Sequence, residues 1–89
     1  MRYNTEKLKA FENEFKKNFP SAWYRIGDFY SDGEDVFWSG EDCFAKDNRP
    51  MFDYYYYDTG VHPEVEKLTE KYGFYFEAYD AGTFVLYEL

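Results

Sequence analysis

The spacing of apolar residues near the start of the chain predicts a helix over residues 5–18. These residues recur at intervals of three and four, which places them on one face of a helix. Asn4 or Thr5 is suited to the N-cap, and the sequence NFP ends the helix because proline lacks an amide hydrogen. The charged side chains of the other face are expected to be solvated. The apolar face carries Leu8, Phe11 and Phe15.

The pattern changes to a period of two in the middle of the chain. AWYRIGDFY (residues 22–30) and DVFWS (residues 35–39) alternate on either side of the turn signal Asp32-Gly33, so we predict a β-hairpin closed at that turn. A third strand is predicted over MFDYYYYD (residues 51–58), whose two faces are both aromatic. Such a strand is expected at the centre of a sheet, with one face on the helix and the other on a second surface.

The last third of the chain predicts a second helix and a second hairpin. Pro63 is suited to the first helical position and Gly73 to the stop, with apolar residues between them on one face. Residues 74–89, FYFEAYDAGTFVLYEL, alternate on both sides of a turn at residues 80–82. The element order α-β-β-β-α-β-β predicts an α+β fold, in which two helices pack on one face of a mostly antiparallel five-stranded sheet.

Length and composition favour a single compact domain, residues 1–89, with an aromatic core. The chain has 89 residues, of which 26% are aromatic, and a formal net charge of −8 at pH 7. A chain of this length supports one core. Strong negative charge repels the phosphate backbone, which argues against nucleic acid as a direct ligand. No segment has the apolar length of a membrane span or of a signal-peptide core, and we expect a cytoplasmic protein without membrane contact.

Two isolated residues, Cys43 and His62, are candidates for chemistry. A single cysteine provides neither an internal disulfide nor a structural zinc site. His62 precedes Pro63 and is suited to the start of the second helix. The chain also lacks a nucleophile elbow and a phosphate-binding glycine loop. The sequence therefore predicts a protein without catalytic activity, cofactor or metal.

The segment that begins at residue 28 has part of the spacing of a calcium-binding loop. Asp28, Asp32 and Gly33 fit positions 1, 5 and 6 of an EF-hand loop. Tyr30 and Ser39 stand at positions 3 and 12, where that loop uses carboxylate ligands. Because Asp and Gly are also the residues that turns require, we predict a turn and no calcium site.

The segment DFYSDGEDVFWSGED, residues 28–42, combines six carboxylates with four aromatic residues and contains no Lys or Arg. Carboxylates two apart on a strand lie on the same side at about 6.6 to 6.8 Å, of the same order as successive phosphates. We therefore predict a surface on which charge steers association and aromatic residues anchor it. The alternative is a solvated hairpin that keeps the domain soluble. The predicted partner-binding residues are Asp28, Tyr30, Asp32, Glu34, Asp35, Trp38, Glu41 and Asp42.

Such a surface predicts a small acidic inhibitor that occupies the nucleic-acid-binding surface of another, basic protein. Phage-encoded proteins that evade antiviral defence, such as anti-CRISPR and anti-restriction proteins, are typical of this size, charge and fold class, although the chain carries no motif of one family. Two alternatives remain. One is an immunity protein that neutralises a basic toxin or nuclease, and the other is an adaptor or structural domain that self-associates through its tyrosines. The sequence leaves open whether the protein is a monomer or a homodimer.

Overall fold

A computed structural model describes residues 2–89 and shows an α+β fold with two helices and four strands. All strand pairs are antiparallel, and the order across the sheet is β1-β2-β4-β3. The predicted α+β class is confirmed, whereas the predicted five strands and the order α-β-β-β-α-β-β are wrong by one strand. The elements are α1 (Thr5–Asn18), β1 (Arg25–Gly27), β2 (Val36–Gly40), α2 (Pro63–Lys71), β3 (Phe74–Asp80) and β4 (Thr83–Glu88).

Both predicted helices are confirmed, and each begins at a side-chain cap. The Asn4 carboxamide accepts a hydrogen bond from the Lys7 amide at 3.0 Å at the start of α1. The His62 ring accepts one from the Glu64 amide at the start of α2, and Gly73, with φ of +75°, follows its C-cap. Over the described range, from residue 2 to residue 89, neither helix is long and apolar enough to cross a membrane.

The two predicted hairpins are present, but the first is less regular than the sequence indicates. β1 has three residues and β2 five, and they are joined by residues 28–35 instead of a tight turn at Asp32-Gly33. The cause is Asp28, whose carboxylate accepts hydrogen bonds from the backbone amides of residues 32 and 33 and so folds the connection into a wider loop. The second hairpin closes with Asp80 opposite Thr83, close to the predicted turn.

The third strand predicted over residues 51–58 does not exist. Phe52 forms an isolated bridge with Val61, and residues 54–56 form a turn. The Asp53 carboxylate accepts hydrogen bonds from the amides of residues 55 and 56, which bends the chain where a strand would continue. The tyrosine run therefore belongs to a loop at the surface and not to the centre of the sheet.

The main core lies between α1, α2 and one face of the sheet. The ring of Phe11 on α1 lies 5.4 Å from that of Phe37 on β2 and 5.6 Å from that of Phe74 on β3. Phe15 adds a further contact to Phe37 at 5.5 Å, and all four rings are fully buried. These edge-to-face contacts between α1 and the sheet fix the orientation of the helix on the sheet.

The opposite, outer face of the sheet is partly covered by residues 28–35. Val36 and Val85 point to this face and are fully buried, although they do not belong to the main core. Phe29 of the loop packs against Trp38 of β2, with ring centroids 4.9 Å apart. The aromatic residues of the acidic segment therefore attach its loop to the sheet.

Candidate functional site

Residues 53–60 form a compact loop that displays tyrosines, and we call it the tyrosine loop. Its ends are joined by a backbone hydrogen bond of 2.9 Å from the Asp53 amide to the Gly60 carbonyl. Gly60 has φ of +78°, a conformation that glycine adopts without strain. The Tyr57 hydroxyl donates to the Pro50 carbonyl at 2.7 Å and holds the loop against the preceding segment. Tyr55 at the tip is 86% exposed.

The tyrosine loop lies beside two other segments and forms an acidic, aromatic surface with them. Two open depressions of about 340 and 420 Å³ meet at Tyr55 and Ala81. Four carboxylates line them, and no lysine or arginine does. We call this the tyrosine-loop surface. Its charged and exposed aromatic residues are Glu41, Asp42, Phe44, Asp53, Tyr54, Tyr55, Tyr79 and Asp80.

The close approach of two turns places Glu41 on this surface. The Glu41 amide donates to the Gly82 carbonyl at 3.2 Å, and the Trp23 indole donates to the Glu41 carbonyl at 2.7 Å. A Cβ atom at Gly40 would overlap the Gly82 carbonyl, so glycine is required there for the turns to meet. Asp42 follows with φ of +66°, in the left-handed region that Asp tolerates.

The other predicted carboxylates lie at the opposite end of β2 and do not form a row along a strand. Asp28 accepts hydrogen bonds from backbone amides, and Asp32 pairs with Arg2 at 2.7 Å. Glu34 and Asp35 complete this loop just before β2 begins. Five residues of β2 separate the loop from Glu41, so six residue steps lie between Asp35 and Glu41, about 20 Å at 3.3 Å per residue. The predicted surface is therefore divided into two acidic groups.

The two predicted aromatic anchors make contacts within the protein. The Tyr30 hydroxyl lies 2.9 Å from that of Tyr87, and the Arg2 guanidinium lies 5.3 Å from the Tyr30 ring centroid. The hydrogen bond to Tyr30, with burial, raises the pKa of Tyr87 to about 12. Trp38 is half-buried beneath Phe29. Both predicted anchors thus pack on the outer face, whereas Tyr54, Tyr55 and Tyr79 of the tyrosine-loop surface are each more than half exposed.

Basic residues are segregated from the tyrosine-loop surface. All ten lysines and arginines fall within residues 2–25, 46–49 and 67–71. Four of the ten are on α1 and two on α2, where Lys71 pairs with Glu14 at 2.7 Å. Six of the ten basic residues are therefore on the helices, where they are balanced by six glutamates, and none lines the tyrosine-loop surface.

His62 and Cys43 are buried, and their polar atoms contact other groups of the protein. His62 Nδ1 accepts from the Glu64 amide at 3.0 Å, and Nε2 lies 3.0 Å from the Asp47 carboxylate, so both ring nitrogens are occupied. The Arg49 backbone amide and the His62 side chain hold the pKa of Asp47 well below its usual range. The Cys43 thiol lies 3.9 Å from two backbone carbonyl oxygens.

The acidic groups do not assemble into a metal site in the part of the chain that the structure describes. No three His, Cys, Asp or Glu side chains are grouped there to hold an ion. Asp28 and Asp32, which fit two positions of a calcium loop, use their carboxylates to bind backbone amides of the turn. The geometry is that of a turn built by aspartates.

Comparisons with known proteins found no relative: no protein-family model matches the chain, and neither the curated proteins nor the solved structures contain a match.

Proposed function

We propose that this chain is a non-enzymatic inhibitor that occupies the nucleic-acid-binding surface of a basic partner protein, as expected of an anti-CRISPR or anti-restriction protein. The tyrosine-loop surface supports the proposal best. It combines four carboxylates with exposed aromatic side chains and has no lysine or arginine in its lining. A basic groove that binds phosphates attracts such a surface by the same electrostatic field.

The aromatic residues supply the contact area that charge alone does not. Tyr54 and Tyr55 are 55% and 86% exposed, and Phe44 is 49% exposed. Tyrosine and arginine are enriched among residues that dominate binding energy, and an arginine of the partner can stack on a tyrosine ring while it pairs with a carboxylate. The protein would thus replace both the phosphates and the bases of a nucleic-acid strand.

Affinity capture from a lysate of the source organism tests the proposal. The lysate is treated with nuclease, and captured proteins are identified at several salt concentrations from about 0.05 to 0.5 M, over which exposed charge pairs become screened. We expect a nucleic-acid-binding protein that is lost as salt rises and that added DNA or RNA displaces. Capture of a partner that nucleic acid does not displace would contradict the proposal, and a nuclease blocked at its active site would favour an immunity protein.

A matched pair of variants locates the interface. E41K/D42N and E34K/D35N replace a Glu-Asp pair in the same way and change the net charge by the same amount, at opposite ends of β2. Asn replaces Asp42 because it also tolerates positive φ. We expect E41K/D42N to weaken binding at least tenfold, or about 1.4 kcal/mol, and E34K/D35N to weaken it less. If both variants bind with the same affinity as the parent protein, neither acidic group lies in the interface.

A further inference from the structure

β3 lies at an edge of the sheet, and the hydrogen-bond register shows which of its backbone groups face outward. The Leu89 amide donates to the Gly73 carbonyl at 2.9 Å, so these two residues form a hydrogen-bonded pair just before β3. Paired and unpaired positions alternate along an antiparallel ladder, and the pairing is regular up to the bulge that follows Ala78. The residues whose amide and carbonyl groups face away from β4 are therefore Phe74, Phe76 and Ala78.

Phe74 is fully buried, whereas Phe76 is 7% exposed and Ala78 is half-buried, so the outward groups of Phe76 and Ala78 are the ones available to a new strand. Within residues 2–89, no backbone hydrogen bond joins Phe76 or Ala78 to a segment outside the sheet. An edge of this kind is a template for pairing with an extended chain. The accessible stretch before the bulge runs from Phe76 to Ala78 and gives an edge of about 10 Å at 3.4 Å per residue.

The outer edge of β3 is lined by carboxylates along its length. Two depressions of about 450 and 310 Å³ share Thr59 and Phe76 and extend between β3, α2 and residues 58–61. We call them together the β3-edge groove. No lysine or arginine lines it. Its charged residues are Asp58, Glu66, Glu70 and Glu77.

We propose that the β3-edge groove binds an extended, basic segment of the partner protein, which adds to β3 as a fifth strand. Outward backbone groups of β3 form the ladder, and lysine or arginine side chains of the added strand reach the carboxylates. A second copy of this chain is a poor occupant, because each copy carries a net charge of −8 and pairing of two β3 strands brings their carboxylates together. The inference rests on the proposed function, because it names the part of the partner that is bound.

A synthetic peptide tests strand addition directly on the full chain. The probe is a nine-residue peptide of alternating lysine and valine, and its control is the same peptide with every backbone amide N-methylated, which retains the charge and removes the ladder hydrogen bonds. We expect the control to bind at least tenfold more weakly. By NMR hydrogen exchange, the probe should slow exchange at Phe76 and Ala78, with little change at Glu77, whose amide already faces β4. Equal binding of the two peptides, or unchanged exchange at Phe76 and Ala78, would overturn strand addition. Slow exchange at these amides in the protein alone that depends on its concentration would indicate a second copy instead.

A variant of the edge separates this inference from the proposed function. A78P removes an outward amide without breaking a bond to β4, and A78S retains the amide as its control. In the captured complex, A78P should weaken binding at least tenfold relative to A78S. If A78P binds as A78S does while E41K/D42N fails to bind, strand addition is wrong and the proposed function stands. If the peptide binds but no nucleic-acid-binding protein is captured, the proposed function fails and the groove remains a strand-binding site.

Discussion

The Tyr3 hydroxyl joins two strands of the sheet, and its removal should destabilise the protein by an amount that can be worked out. The Phe37 amide donates to this hydroxyl at 3.0 Å, and the hydroxyl donates to the Leu86 carbonyl at 2.6 Å. Tyr3 is 4% exposed, and its ring packs edge to face on Phe74. Tyr3→Phe keeps the ring and removes both hydrogen bonds. At about 0.5 to 1.5 kcal/mol for each bond, the free energy of unfolding should fall by about 1 to 3 kcal/mol.

Urea unfolding followed by the fluorescence of Trp23 and Trp38 measures this loss. With a slope of about 1 kcal/mol per molar urea, the midpoint should fall by about 1 to 3 M. Tyr55→Phe is the matched control, because it removes a hydroxyl from a side chain that is 86% exposed, and its effect should stay within about 0.5 kcal/mol. A loss for Tyr3→Phe no larger than that of the control would refute the view that the hydroxyl bridges β2 and β4.

Three further predictions concern the tyrosine loop and the titration of a tyrosine. Gly60→Ala should lower the free energy of unfolding by about 2 kcal/mol or more in urea titrations, because φ is +78° and the new Cβ would lie 2.9 Å from the Phe84 ring; an unchanged midpoint would contradict this. Asp53→Ala should cost about 1 kcal/mol and speed hydrogen exchange in the tyrosine loop, since two amides lose their acceptor; unaltered exchange would argue against the cap. Burial and the hydrogen bond to Glu12 raise the pKa of Tyr24 to about 12, above its unfolded value of about 10, so stability should fall as pH rises from about 10 to 12. Tyr24→Phe should show a smaller fall over the same interval, and an equal fall in both proteins would assign the effect to other groups.

The helices and the second hairpin could be predicted because each has a local signal at its ends. Asn4 caps α1, Pro63 opens α2 and Gly73 ends it, and every one of these residues acts on backbone groups within a few positions of itself. Asp80 acts in the same way in the turn between β3 and β4, where its carboxylate accepts a hydrogen bond from the Gly82 amide. Because these residues act only on backbone groups a few positions away, their effect can be predicted from the sequence without knowledge of the tertiary structure.

The tyrosine loop was mistaken for a strand because a run of identical residues contains no period. Four consecutive tyrosines fit a strand with two apolar faces and fit an exposed loop equally well. The decisive residues are Asp53, which caps the turn, and Gly60, whose positive φ closes the loop. Asp53 before the run and Gly60 after it were the available signals, and both are typical of turns.

The candidate surface was only partly predicted, since it is assembled from distant segments. Glu41 and Asp42 were included, whereas Asp53 and Asp80 were missed because the fold, not the chain, brings them beside the other two. The same limit explains why the sequence did not predict that Tyr30 packs within the protein. Asp28 and Asp32 lie two positions from Tyr30 in the sequence, but the Tyr30 hydroxyl contacts that of Tyr87 across the outer face, 57 residues away in the chain.

The division of the carboxylates into two groups separates two physical effects that the sequence suggested would act together. At physiological ionic strength charges are screened over about 8 Å, which is less than the distance of about 20 Å along β2 between the groups. In the proposed complex, each group would therefore act on a different part of the partner. The loop of residues 28–35 uses its aromatic side chains to attach itself to the sheet, so in the proposed complex its carboxylates would act mainly on the rate of association. The tyrosine-loop surface retains exposed rings beside its carboxylates. Substitutions on this surface should therefore raise mainly the dissociation rate constant of the proposed complex. The acidic pairs replaced in E34K/D35N and E41K/D42N are thus alike in sequence, and we expect E34K/D35N to change mainly the association rate constant and E41K/D42N mainly the dissociation rate constant.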